Sequence, residues 1–136
     1  CELGRVQGTN HPTIQRLIMS LPTLGKYLYT VPVVAFGIFH FTRTDAFAGM
    51  VPIPFAQSLW VYLTGVCFLL AAVSVYTGKH TVLAMNLLGL LLLLIVVTIH
   101  VPGIMGGGAG TWMTPMLHTT GLAGGAFVLA GVHEGS

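Results

Sequence analysis

The sequence predicts an all-α fold, an integral membrane bundle of four helices, and three observations carry this prediction. Apolar residues make up 54% of the chain and charged residues only 6%, far below the roughly 25% of an ordinary globular protein. No side chain between Lys79 and His100 carries a formal charge. About twenty such residues form a helix about 30 Å long, which matches the hydrocarbon core of a bilayer. Three other apolar segments of comparable length accompany this one.

The N-terminal segment, residues 1–24, is predicted to lie along the membrane interface. Apolar residues recur there at helical spacing, with Gln15 and Arg16 off the apolar stripe: Ile14, Leu17, Ile18 and Leu21. This pattern is typical of a short amphipathic helix at the interface. Pro22 is expected to end the helix, because proline lacks the N–H that an interior helical position donates.

The four membrane-spanning helices are predicted at about residues 25–41, 58–76, 81–100 and 114–132. Trp60 and Tyr62 near one end of the second span, with Tyr76 at its other end, resemble the aromatic belts found at both membrane interfaces. The first connection, residues 42–57, contains two prolines among apolar side chains, so we expect it to dip partly into the membrane. The glycine-rich run after Pro102 is expected to be a loop, and residues 133–136 form a C-terminal tail.

The fourth span contains a pattern of small residues that allows close helix packing. Gly121 and Gly125 are spaced as GxxxG, which lets two membrane helices approach closely. Packing within the bundle and a dedicated dimer face are both open.

Basic residues near the span ends predict the orientation. Arg43 stands alone on one side, whereas four basic residues fall on the other: Arg5, Arg16, Lys26 and Lys79. The positive-inside rule therefore places both termini in the cytoplasm. Cys1 is interpreted either as a point inside a longer product or as a lipidated N-terminus. We favour the first, since a lipid anchor would place that end on the outer side.

This topology brings three histidines, His40, His100 and His118, to the outer interface. Arg43, Trp60 and Tyr62 belong to the same level. Ionisable groups at membrane depth are costly and often mark function. The cluster is open to four interpretations: histidines that face water or head groups, a quinone head-group pocket, a metal site, or a haem site.

The sequence gives little support to several classes of function. The net charge of +2 is too small to indicate nucleic-acid binding. Cys1 and Cys67 form no CxxC pair, and the few carboxylates are scattered, so no catalytic residues are predicted. A transport path would need more buried polar residues than Asn86 and Thr98.

Taken together, several motifs resemble the DoxX-like family of small bacterial membrane proteins. They are FGIFHFTRTDAFAGMVPIP at residues 36–54, VYLTG at 61–65, TGK at 77–79, TIHVPG at 98–103 and GLAGGA at 121–126. Six positions carry over as family-pattern positions only: His40, Val51, Pro52, Gly65, Pro102 and Gly125. The family takes its name from small subunits of a thiosulfate:quinone oxidoreductase.

The resemblance implies a compact four-helix bundle in the bacterial inner membrane, associated with redox assemblies. We therefore expect an accessory subunit of a membrane redox complex, in contact with lipid and with other membrane subunits. The alternative is a quinone-linked oxidoreductase subunit of the thiosulfate:quinone type, with a quinone, metal or haem site formed by the outer cluster.

Overall fold

The computed structural model describes residues 12–134, apart from the side chains of four residues near the start of the first helix: Ile14, Gln15, Leu17 and Met19. Regular structure within this range is entirely helical. The predictions for Cys1 and for the rest of residues 1–11 lie outside the described residues.

The chain forms six α-helices in the order α1 Pro12–Thr42, α2 Thr44–Ala48, α3 Gln57–Thr77, α4 Thr81–Ile95, α5 Val101–Gly103 and α6 Ala109–Glu134. Two π-helical turns, Val96–His100 and Ile104–Gly108, lie on either side of α5. Three helical stretches are long and apolar enough to cross a membrane: Ser20–Thr42, Gln57–Thr77 and Thr81–Glu134.

The expectation that Pro22 ends a helix is wrong. Both Pro22 and Pro32 lie inside α1, so residues 12–24 continue directly into the first span. Leu21 and Leu24 on either side of Pro22 are more than half exposed. A helix keeps its backbone groups paired in apolar surroundings, and one missing N–H is a smaller loss than an unwound segment there.

The turn between α3 and α4 is short, as the predicted spans at residues 58–76 and 81–100 require. Gly78 and His80 both have positive φ, at 70° and 56°. The Thr81 hydroxyl donates to the backbone carbonyl of Ser74 at 3.0 Å. This connection makes α3 and α4 antiparallel neighbours, and we call this side of the molecule the Gly78 end.

The glycine-rich run after Pro102 differs from the expected loop. It remains helical on both sides of one break at Gly107, where φ is 90°. Pro102 has no N–H for the carbonyl of Thr98, and the adjoining widened π-helical turn is the ordinary response to such a gap.

The break at Gly107 folds α6 back onto α4. Gly89 of α4 lies against the ring of Phe127, and Gly103 lies against the ring of Trp112. Gly89, the earlier of the two glycines, contacts the later aromatic residue, and Gly103 contacts the earlier one. The two stretches of chain therefore run antiparallel. The long stretch 81–134 therefore supplies two helices of the bundle, and the predicted four-helix bundle is confirmed at this level.

The four long helices form two antiparallel pairs, α1 with α3 and α4 with α6. The buried core joins the pairs mainly toward the Gly78 end, and its fully enclosed members include Val33, Val75, Met85, Ala123 and Ala126. At the opposite end, where α1 finishes at Thr42, just after His40, and α3 begins, the pairs separate around a cavity. We call this side the His40 end.

Candidate functional site: an apolar cavity at the His40 end

The two helix pairs enclose a cavity of about 480 Å³ at the His40 end, open along part of its length. Its wall is formed by α1, α2, the segment after α2, α3, α4 with its π-helical extension, and α6. The volume lies within the range of small-molecule sites in proteins. Most of the lining is aliphatic or aromatic, so the cavity suits an apolar ligand.

His40 is the most constrained polar residue of the wall. Its ring is parallel to that of Phe47, with centroids 4.5 Å apart and planes 2° from parallel. Phe68 lies on it with a centroid distance of 5.4 Å. The Nδ1 atom is 2.6 Å from the carbonyl oxygen of Phe36. The ring therefore has one fixed orientation, set by two aromatic contacts and one hydrogen bond.

Gly65 allows this arrangement by bringing α3 close to α1. A Cβ built on Gly65 would lie 2.8 Å from the Cβ of His40 and 3.2 Å from the carbonyl oxygen of Gly37. Any larger residue at position 65 would push the helices apart. The glycine thus holds His40 between α1 and α3.

His100 reaches the same cavity from the opposite helix pair. It ends the π-helical turn Val96–His100, and its Nδ1 lies 3.3 Å from the carbonyl oxygen of Ile95. Its ring meets that of Trp112 edge to face, with centroids 6.0 Å apart. The widened turn changes the angular position of the residues after it, and such turns are frequent at functional sites.

Three threonines complete the polar part of the wall: Thr64, Thr98 and Thr119. Each hydroxyl donates to the carbonyl four residues earlier in its own helix, at 2.9, 2.7 and 2.9 Å respectively. This back-bonding satisfies the hydroxyl proton inside the helix. The lone pairs of each hydroxyl oxygen can still accept a hydrogen bond.

The structure divides the predicted cluster into two groups. His40, His100 and Trp60 line the cavity, whereas Arg43, Tyr62 and His118 do not. Tyr62 stacks on Phe41 instead, with centroids 5.6 Å apart. His118 is exposed on α6, although its neighbour Thr119 faces the cavity.

A metal site built from the three histidines finds no support in the geometry. Within residues 12–134, no group of three or more histidine, cysteine, aspartate or glutamate side chains lies close enough to hold a metal ion. His118 lies on an exposed face of α6, outside the cavity that His40 and His100 line.

Several cavity residues were not predicted from the sequence. Phe47, Phe68, Trp112 and the free thiol of Cys67 all line the wall. Phe47 belongs to the connection that the sequence predicts to dip into the membrane. That prediction is the one feature of the sequence that points to a role for Phe47 in the site. Phe68 and Cys67 are indistinguishable in sequence from lipid-facing residues of α3.

Of the two glycines of the predicted GxxxG motif, one makes a close contact and the other does not. Gly125 packs against the ring of Tyr29, where a Cβ would lie 2.6 Å from Cε2, while nothing lies within 4 Å of a Cβ on Gly121. Gly125 therefore serves packing within the bundle.

Comparisons with protein-family models, with curated proteins and with solved structures find no match for this chain. The DoxX-like resemblance thus stays a prediction that rests on the motifs of the sequence.

The arrangement can bind an apolar molecule and orient it by a few hydrogen bonds. His40 and His100 both line the cavity, and each has Nδ1 beside a backbone carbonyl, while Nε2 makes no hydrogen bond within residues 12–134. The apolar wall strengthens such bonds because water competes weakly there.

Proposed function

We propose that this chain is an integral membrane subunit of a bacterial redox complex and that its cavity binds the ring of a quinone-type molecule. The observation that carries the proposal is His40, fixed between Phe47 and Phe68 at the wall of an apolar cavity of about 480 Å³. A quinone head group is a flat, mostly apolar ring with polar atoms at its edge, and such a ligand needs this combination.

The DoxX-like motifs support the same proposal, since they imply a place in membrane redox assemblies. Two of the family-pattern positions belong to this arrangement: His40 lines the cavity, and Gly65 lies against His40. We propose the bacterial inner membrane as the location, with both termini cytoplasmic. The His40 end then belongs to the outer leaflet, and the segment after α2, where Phe55 is 75% exposed, dips into the interface.

The test is ring binding by the full chain in lipid nanodiscs, with a cavity-filling variant and a matched control. Cys67 lines the cavity, whereas Leu70 lies one turn further on α3 and is exposed outside it. We expect the Cys67→Trp variant to lose at least about tenfold in affinity for tetramethyl-1,4-benzoquinone or its hydroquinone. The Leu70→Trp variant should bind like the original chain. Failure of both ring compounds to bind above empty nanodiscs would contradict the proposal.

An accessory, packing role is the second candidate, and Asn86 favours it. Asn86 is one and a half turns into α4, and its carboxamide makes no hydrogen bond within the part of the chain that the structure describes. Leu83, Leu87 and Leu90 on neighbouring positions of α4 are each more than half exposed. Because an unpaired amide in hydrocarbon is costly, we propose that a helix of a partner subunit supplies a hydrogen-bonding side chain there.

Native mass spectrometry after extraction in mild detergent tests the accessory role. We expect the chain to be recovered with a partner, and the Asn86→Leu variant to be recovered with several-fold less of it. The Leu90→Ile variant changes the same face without a hydrogen bond and should behave like the original chain. Recovery of the original chain as a bare monomer would count against this role.

A further inference from the structure

The polar groups of the cavity wall share one property, which concerns the direction of their hydrogen bonds. Five histidine and threonine side chains line the cavity: His40, Thr64, Thr98, His100 and Thr119. Each of them directs its hydrogen-bonding proton to a backbone carbonyl of its own helix. Since a carbonyl oxygen only accepts, the proton in each pair must come from the side chain.

The consequence for His40 follows from the chemistry of imidazole. In the neutral ring one nitrogen carries the proton and the other accepts. The proton of His40 is on Nδ1, 2.6 Å from the carbonyl oxygen of Phe36. The Nε2 atom is therefore an acceptor. His100 has the same tautomer, because its Nδ1 faces the carbonyl of Ile95.

The threonines behave in the same way. Their hydroxyl protons lie in bonds of 2.7 to 2.9 Å to carbonyls one turn earlier. The hydrogen-bonding capacity that these hydroxyls retain for a ligand is that of acceptors.

The other possible donors of the wall are two indoles and one thiol. The indole of Trp112 packs against Gly103 and Gly108 and meets the ring of His100 edge to face, so it lies on the α4–α6 side of the cavity, across from His40 on α1. Trp60 is 42% exposed in the first turn of α3, at the rim of the cavity. The thiol of Cys67 is a weak donor.

We infer that the cavity selects ring compounds that bring a free hydroxyl group, namely phenols or quinols, over the corresponding quinones. A ring hydroxyl donates to Nε2 of His40, and the apolar wall encloses the rest of the ring. A quinone presents carbonyl oxygens, whose lone pairs would face the lone pairs of the wall. This inference rests on the proposed function and specifies the form of the ligand that binds.

Three small ring compounds test the inference on the unmodified chain in nanodiscs, by equilibrium dialysis under argon with empty nanodiscs subtracted. They are tetramethylhydroquinone, tetramethyl-1,4-benzoquinone and the dimethyl ether of the hydroquinone. We expect the hydroquinone to bind at least about tenfold more tightly than either of the others. Tenfold corresponds to about 1.4 kcal/mol, the size expected for one net hydrogen bond.

A pair of histidine variants locates the effect. The His40→Phe variant keeps an aromatic ring between Phe47 and Phe68 but removes the acceptor, so its affinity for the hydroquinone should fall about tenfold while that for the quinone stays constant. The His118→Phe variant alters an exposed histidine outside the cavity and should change neither affinity.

The outcomes separate the two proposals. Quinone or dimethyl ether binding as tightly as the hydroquinone would overturn this inference and leave the ring-binding function in place. Absence of binding by all three compounds would overturn the ring-binding function itself. The comparison of ligands uses the unmodified chain, so its result does not depend on whether the His40→Phe variant folds.

Discussion

The hydroxyl of Tyr29 donates a hydrogen bond of 2.7 Å to the backbone carbonyl of Leu122. It joins α1, the first helix of the bundle, to α6, the last. The Tyr29 ring fills the space above Gly125, so a bond and a close contact occur at the same place. The hydrogen bond and the close contact both link the α1–α3 pair to the α4–α6 pair. They therefore help to hold the two pairs together on the side of the cavity that faces the Gly78 end.

The first prediction concerns the close contact. The Gly125→Ala variant should be destabilised by about 1–3 kcal/mol, as expected for overpacking, because the new Cβ would lie 2.6 Å from a Tyr29 ring that is held at its hydroxyl. The Gly124→Ala variant is the control, since nothing lies within 4 Å of its Cβ. Reversible unfolding in SDS, followed by circular dichroism, measures both. Equal stability of the two variants would contradict the packing role of Gly125.

The second prediction isolates the hydrogen bond. The Tyr29→Phe variant keeps the ring but removes the donor, so we expect a loss of about 0.5–1.5 kcal/mol. The Tyr62→Phe variant removes a hydroxyl from a tyrosine that stacks on Phe41 and serves as the matched control. The same unfolding measurement applies, and a larger loss at Tyr62 than at Tyr29 would argue against the α1–α6 bond.

The third prediction concerns the reversal between α4 and α6. Gly107 has φ of 90°, a conformation that costs a residue with a Cβ about 1–2 kcal/mol. The Gly107→Ala variant should therefore be less stable than the original chain by about this amount. The neighbouring Gly106→Ala variant also has free space around its Cβ and lacks positive φ, so it should be neutral or slightly stabilising. Unfolding of both variants, compared side by side, decides the matter.

The fourth prediction uses Cys67 as a reporter of the cavity. In a Cys1→Ser background, N-ethylmaleimide should label the exposed thiol of Cys67, and a bound ring compound should slow this labelling several-fold because both occupy the same space. A Leu70→Cys, Cys67→Ala variant moves the thiol to a position of α3 that is also exposed but lies outside the cavity, where the ring compound should have no effect. Mass spectrometry of the intact chain follows the labelling. Equal protection at both positions would show that the effect does not come from the cavity.

Much of the architecture follows from the sequence. The spans around Val61 and Leu88 are apolar on nearly all sides, so helices in a membrane are the one arrangement that pairs their backbone groups. The turn at Gly78 follows for a similar reason, since a short polar segment between two long apolar ones must reverse the chain.

The helix ends at proline and glycine were harder to predict. The sequence predicts breaks at Pro22 and along the glycine-rich run, whereas the helix continues through Pro22 and the run breaks at the single residue Gly107. The usual rules for these residues assume that water can pair the freed backbone groups. In apolar surroundings that alternative is missing, so helical pairing continues past them.

The candidate site could be predicted only in part. The level of His40 and His100 along the bundle follows from counting residues, because each ends a span. Whether a side chain faces the cavity depends on rotation about the helix axis, and His118 shows this, since it shares their level without reaching the cavity.

By itself the sequence determined that this protein is a set of apolar helices, reversed at Gly78, with histidines where two spans end. Composition and length are sufficient for this, because a bilayer leaves the backbone no other way to pair its polar groups. The tertiary structure alone decided that α1 pairs with α3 and α4 with α6, that the pairs separate around a cavity, and that Phe47 and Phe68 enclose His40. These features depend on how each helix is rotated about its axis and on how closely neighbouring helices approach. A nearly uniform apolar sequence specifies neither, whereas the contacts of glycines such as Gly65 and Gly125 in the folded chain fix both.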